Sequence, residues 1–178
     1  MDKRVLSILI TAALAGCVAH TKGDRTMPEV TEIPGFAVIG LTARVVPQQE
    51  MSGKDGKIGP LWQAFMQGGS DRIPGVVDPT AIYSVYTNYE SDHTGAYDVV
   101  LGRSVSDVGK SPADLRGIAI PKARYLVFPA KSNAPQDIQA AWMAVYKYFA
   151  DHSEHRRAFS ADFDRHSTKG VDLFIAIR

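Results

Sequence analysis

Between residues 30 and 178 the sequence runs through one order of patterns twice: strand, helix, strand, strand. "GFAVIGLTARVV" is rich in branched residues and predicts a strand. "IGPLWQAFMQGG" predicts a helix, with Pro60 near its start, Gly68 and Gly69 at its end, and Leu61, Trp62, Phe65 and Met66 on one face. "TAIYSVYTNY" alternates, with Ala81, Tyr83, Val85 and Tyr89 on one side, and "AYDVVLGRSV" alternates through Tyr97, Val99 and Leu101. The short polar "ESDHTG" between them predicts a hairpin. After the polar break "SDVGKSPADL" the order returns. "IPKARYLVFPAK" reads as a strand. "NAPQDIQAAWMAVYKYFADH" reads as a helix with Asn133 as cap, Pro135 in its first turn, and a stripe of Ile138, Ala141, Trp142, Val145 and Phe149. "RAFSADFDRH" and "VDLFIAIR" are two closing strands around a "STKG" turn.

A chain with this order is expected to be α+β, built from two pseudo-twofold-related βαββ repeats at about residues 30–105 and 116–178. Each repeat has a tryptophan near the middle of its helix, Trp62 and Trp142. Two such units bury their apolar faces together and leave a groove at the seam, a common place for a ligand. The 178 residues suffice for one domain with a sizeable core, and 45% apolar against 22% charged residues is an ordinary globular balance.

The N-terminus sets a second expectation. "MDKRVLSILITAALAGCVAH" opens on Lys3 and Arg4, continues through an apolar stretch from Val5 to Leu14 that is short for a bilayer span, and ends in "LAGC". It reads as a secretory signal over residues 1–16. The "LAGC" resembles a bacterial lipobox, which implies cleavage before Cys17 and acylation of its thiol. A plain signal peptide with a chance cysteine is the alternative. Cys17 is the only cysteine, so no intrachain disulfide can form. Residues 17–29 read as a tether and 30–178 as the domain. Removal of residues 1–16 takes Asp2, Lys3 and Arg4 and leaves basic and acidic side chains equal in number. No long run of one sign appears, which argues against a nucleic-acid partner. Val18 after the cysteine, by resemblance to Gram-negative lipoproteins, implies the outer membrane facing the periplasm if the host is Gram-negative.

Over residues 30–178 the order and spacing of "TAIYSVYTNYESDHTGAYDVVLGRSV", "ARYLVFPA", "AAWMAVYKYF" and "DFDRH" resemble the GyrI-like small-molecule-binding domains, the effector-binding module of AraC- and MerR-type regulators. The resemblance implies two βαββ repeats enclosing a cleft. Many relatives carry Phe-Glu-x-Tyr where this chain has Phe163-Asp164-Arg165-His166, and their glutamate sits at the base of an aromatic cleft that binds lipophilic cations. By that resemblance Asp164 is the candidate cleft acid, Trp142 the tryptophan beside it, and His166 stands where relatives have tyrosine. A partly desolvated carboxylate favours an organic cation, and aromatic faces add about 0.5–2 kcal/mol of cation–π attraction. On a strand Arg165 points away from Asp164. The residues alone leave open a surface salt bridge for Asp164.

Trp142 and Tyr146 are four apart and can face together, and Tyr83, Tyr86 and Tyr97 sit on the first hairpin, where one or two can wall the cleft. The ligand-binding set is therefore Asp164, Trp142, Tyr146, Tyr83, Tyr97 and His166, with core packing the alternative for each aromatic. His152 and His155 in "DHSEHRR" read as a solvated helix end. No HExxH, CxxC, GxSxG or phosphate-cradling glycine loop is present, so no metal, cofactor or catalytic set is assigned. The expected function is a lipid-anchored envelope protein that binds small amphiphilic molecules, cations among them. A hydrolase in which Asp164 orients water, with His166 or a tyrosine as partner, is the alternative of a different class. An accessory envelope protein that binds a partner and the haem-binding proteins of similar fold are weaker ones.

Overall fold

The computed structural model describes residues 28–178. The signal segment, the "LAGC" and most of the tether lie outside the described residues. The elements are β1 (Glu29–Ile33), β2 (Phe36–Val45), α1 (Pro47–Ser52), α2 (Ile58–Ala64), β3 (Ile82–Thr87), β4 (Tyr97–Val105), β5 (Arg116–Ile120), β6 (Ala123–Pro129), α3 (Pro135–Asp151), β7 (Ala161–Ser167) and β8 (Gly170–Ile177). All eight strands form one antiparallel sheet in the order β1-β6-β8-β7-β3-β4-β2-β5. That order reads the same when β1–β4 are exchanged with β5–β8 and the sheet is turned end for end.

Each half carries one strand more than the sequence pattern predicts: β1 ahead of β2, and β5 ahead of β6. The stretch expected as a strand, "IPKARYLVFPAK", contributes β6 from Ala123 onward, while Ile120 at its head closes β5; Pro121, which cannot donate to a ladder, and Lys122 lie between the two strands. Both two-residue links, Pro34-Gly35 and Pro121-Lys122, join strands that pair at opposite ends of the sheet. Links so short require the sheet to curl into a half-barrel. Phe36 on β2 and Phe163 on β7 accordingly lie 5.1 Å apart between ring centroids, although β4 and β3 separate their strands. Gly40 and Gly102 sit opposite each other in the β2–β4 ladder, and a Cβ at either would fall 2.1 Å from a backbone oxygen of the other strand. That close approach admits only glycine.

The curl separates one apolar cluster on its inner face from two on the other. Inside it, Val38, Val85, Val100, Tyr125, Phe163 and Phe174 pack strand against strand. On the other face, Leu61 of α2 and Phe65 just beyond it pack on Ile39, Val99 and Leu101, and α3 packs Ala141, Val145 and Tyr148 on Leu126, Leu173 and Ile175. Each fully buried aliphatic side chain contributes about 1.5–3 kcal/mol.

The α3 stripe follows the predicted period. Its cap does not: no side chain caps the helix at Ala134, and Ser132 rather than Asn133 bridges the Ala134 N–H and the Asp137 carboxylate. In the first half, α2 gives way at Phe65–Gly69 to a wide turn in which Gly68 adopts a left-handed φ of 108°. Met66, one residue before the helical path is lost, points outward, 68% exposed, instead of onto the apolar face.

Candidate functional site

Alternation along β7 sends Asp162, Asp164 and His166 to the helix-bearing face, and Phe163 and Arg165 into the curl. Arg165 pairs with Asp172 at 3.2 Å inside the curl, as the strand reading predicts, and leaves Asp164 without a basic partner. Asp164 is 2% exposed, so the surface salt bridge considered for it is not formed. Its Oδ2 accepts a hydrogen bond from the Tyr86 hydroxyl at 2.7 Å and a longer one from Trp142 Nε1 at 3.3 Å, while Oδ1 has no partner.

Aromatic rings enclose this carboxyl. Tyr86 and Trp142 meet edge to face at 5.1 Å, Tyr97 lies 5.9 Å from Tyr86, and Tyr146 lies 6.2 Å from Trp142 on the α3 surface. His93 of the β3–β4 loop rests on the Tyr146 ring. Burial pushes the Asp164 carboxyl up to about 7, and the charge of Asp162 adds to the rise, whereas the Tyr86 and Trp142 donors oppose it. Near neutral pH the group lies within reach of both forms, and an adjacent cation would draw it to the charged one.

Tyr83 lies apart from this group. Its place on β3 opposite Arg165 turns it into the curl, where it packs on Phe36 and Phe163. Tyr86 is three positions further along the strand, so alternation puts the two on opposite faces. Tyr86, not Tyr83, supplies the donor. Tyr89 departs from the predicted alternation as well. The strand ends at Thr87, and Asn88 with φ of 51° redirects the chain, so that the Tyr89 hydroxyl reaches Asp162 Oδ2 at 2.8 Å.

Of the predicted residues, Asp164, Trp142, Tyr146 and Tyr97 therefore come together. His166 lies two residues along β7 on the same face. Its ring packs on Trp62 at 4.8 Å, its Nε2 is buried without a partner, and burial lowers its pKa to about 4, so it is neutral at pH 7. Trp62 and Trp142 border the same apolar cluster. Beyond Asp164, Asp162 is held by Arg157 at 2.5 Å, Tyr89 and the Ala176 N–H at 2.7 Å. Sequence reading missed this network because "HRR" looked like a solvated helix end.

His152 and His155 do not share a helical face, since α3 stops at Asp151. His152 stacks on Tyr148 at 4.1 Å, and the Tyr148 hydroxyl bonds His155 Nδ1 at 2.8 Å. Among the described residues no group of three or more His, Cys, Asp or Glu is placed to hold a metal, and no helix is long and apolar enough to cross a membrane. Two surface hollows of about 300 and 290 Å³ lie elsewhere, one in the curl beside Arg165 and one beneath α3, and neither is lined by Asp164.

Residues 29–177 match the family described as Cass2, integron-associated effector binding protein. The chain belongs to that family. A crystal structure of an integron cassette protein from the mobile metagenome of Vibrio cholerae is 31% identical, with 85% of this chain and 95% of that chain covered and a TM-score of 0.73. The structure of SAV2435 bound to tetraphenylphosphonium is 13% identical, with 85% and 94% covered and a TM-score of 0.64. EcmrR in its DNA complex is also 13% identical, at a TM-score of 0.54, and 57% of that chain is covered. The last two show the fold alone, the GyrI-like effector-binding fold. No curated protein sequence matches the chain. Family and fold together make this a small-molecule-binding, effector-binding domain.

Proposed function

We propose that the domain binds small amphiphilic organic cations in an aromatic cleft at the seam of two repeats, with Asp164 as the charge that selects them, and that a lipid on Cys17 holds it in the cell envelope. The observation that carries the binding reading is the Asp164 carboxyl, buried among rings with Oδ1 unpartnered. A buried carboxylate without a counter-charge is costly, and a bound cation offsets that cost. Trp142, Tyr86 and Tyr97 gather aromatic rings around the same place, where cation–π attraction adds to the charge. SAV2435, of like fold, was solved with tetraphenylphosphonium, a lipophilic cation, which supports the reading by analogy. Because Asp164 is covered, entry requires a ring to move. The weak 3.3 Å bond of Trp142 is the one to give way, beside Tyr146, which is 41% exposed.

The test is titration of wild type and Asp164→Asn with a cationic dye and its neutral analogue. The variant should bind the cation about 1–3 kcal/mol more weakly and the neutral analogue nearly as before. Equal cation affinity in the two proteins would end the reading. For the anchor, Cys17→Ser should abolish acyl labelling, and persistence of the label in the variant would overturn it.

A further inference from the structure

The site contains a second tryptophan–aromatic pair that the proposed reading leaves unused. Ser84 and Asp164 are Cα partners across the β3–β7 ladder, with Leu101 beside Ser84 and Leu173 beside Asp164. Trp142 and Asp164 are separated by 22 residues, and Trp62 and Ser84 by the same number. Two residues beyond each centre lies a ring that crosses the face to the other half's tryptophan. Tyr86 packs on Trp142 at 5.1 Å and 82°, and His166 packs on Trp62 at 4.8 Å and 66°. The two halves of the seam thus repeat one arrangement with different chemistry. In one, the Tyr86 hydroxyl is satisfied by Asp164. In the other, position 84 holds a serine, too short to play the carboxylate's part, and His166 Nε2 is left buried without a partner. A buried polar atom without a partner is destabilising. A ligand that supplies the missing partner recovers that cost.

We propose that Trp62 and His166 form an uncharged second half-site, beside Asp164 on the same face, that takes a hydrogen-bonding polar arm of the same ligand. The ligand class is an aromatic organic cation carrying a hydroxyl or comparable neutral polar group away from its charge. A hydroxyl fits either tautomer of the neutral imidazole, since it can donate to Nε2 or accept from Nε2–H. Trp62 supplies the stacking surface beside it. This inference rests on the proposed cation site at Asp164.

The experiment compares tetraphenylphosphonium with (4-hydroxyphenyl)triphenylphosphonium, which differ by one hydroxyl. Titrations use wild type, His166→Phe and Asp164→Asn. His166→Phe keeps a ring against Trp62 and removes both nitrogens. Wild type should prefer the hydroxylated probe by about fivefold, the scale of one net hydrogen bond. His166→Phe should lose that preference while its affinity for tetraphenylphosphonium changes less than about twofold. Wild-type protein labelled with ¹⁵N-histidine supplies a readout that needs no variant: the His166 nitrogens should move to a single hydrogen-bonded tautomer with the hydroxylated probe only. No preference in wild type, or a preference that survives in His166→Phe, overturns the half-site while leaving Asp164 intact if Asp164→Asn still weakens both probes. Failure of wild type to bind either probe overturns the Asp164 reading and the half-site with it.

Discussion

Asp162 and Asp164 are two residues apart on one strand, face the same side of the sheet and are both excluded from water, at 0% and 2% exposure. Their surroundings could hardly differ more. Asp162 is met by a guanidinium, a hydroxyl and a backbone N–H, and Arg157 is further enclosed by the rings of Phe159 at 4.5 Å and Tyr89 at 6.0 Å. Asp164 has two neutral donors on one oxygen and none on the other. The first carboxylate is a finished structural joint between β7, β8 and the chain that leads into β7. The second is an unfinished one, and a small-molecule-binding domain with an unfinished charge at its seam has a physical reason to want a cation. Burial alone marks neither as functional. What distinguishes them is whether the protein itself supplies the counter-charge.

The strongest way to break this contrast is to leave Asp162 as unpaired as Asp164. Arg157→Leu removes the guanidinium and strands a fully buried carboxylate, which should cost about 3–5 kcal/mol of stability in chemical denaturation. Replacing both partners, Arg157→Leu with Asp162→Leu, should recover much of that loss, because no buried charge then remains. A loss below about 1 kcal/mol for the single variant would show that Asp162 does not depend on its partner, and the two acids would then be alike.

Asp164 should show the opposite sign. Its carboxyl titrates near 7 in the folded protein against 3.8 ordinarily, with burial the main cause. The folded state therefore holds more protons than the unfolded state between those values, and stability falls as pH rises from about 4 to 7. Asp164→Asn cannot ionise and escapes this penalty. Relative to wild type the variant should gain about 2–4 kcal/mol between pH 4 and pH 8, read from denaturation midpoints at the two pH values. Cation affinity of wild type should rise over the same window as the carboxylate forms. A wild-type stability that tracks the variant at every pH would mean that Asp164 is already charged and compensated.

The two acids also mark how far the sequence could be read. Strand alternation put Asp164 opposite in direction to Arg165, and a helical period put Trp142 and Tyr146 on one face of α3; both depend on local geometry. The pairing of Trp142 with Asp164 came from family resemblance, since nothing local joins α3 to β7. The Arg157–Asp162 joint was hidden because Arg156 and Arg157 are adjacent, look alike in a charged run, and only Arg157 turns inward. β5 was not legible, because "RGIAI" is short and follows directly on a polar break. The choice between Tyr83 and Tyr86 was not legible, because alternation gives two faces without saying which one carries the helices.

That choice supplies the finest test of the contrast. Tyr86→Phe removes the shorter of the two donors to Asp164 Oδ2, so the carboxyl should move further above its ordinary value and lose charge at pH 7. Cation affinity at pH 7 should fall by about 1 kcal/mol and return as the pH is raised. Tyr83→Phe removes a hydroxyl on the other face, where the ring packs between Phe36 and Phe163, and that packing survives the change. Its effect on cation affinity should lie within about 0.5 kcal/mol at every pH. Isothermal titration of the two variants side by side separates the faces. Equal weakening by both would place Tyr83 and Tyr86 at one site, which a β-strand with residues three apart cannot do without a bulge.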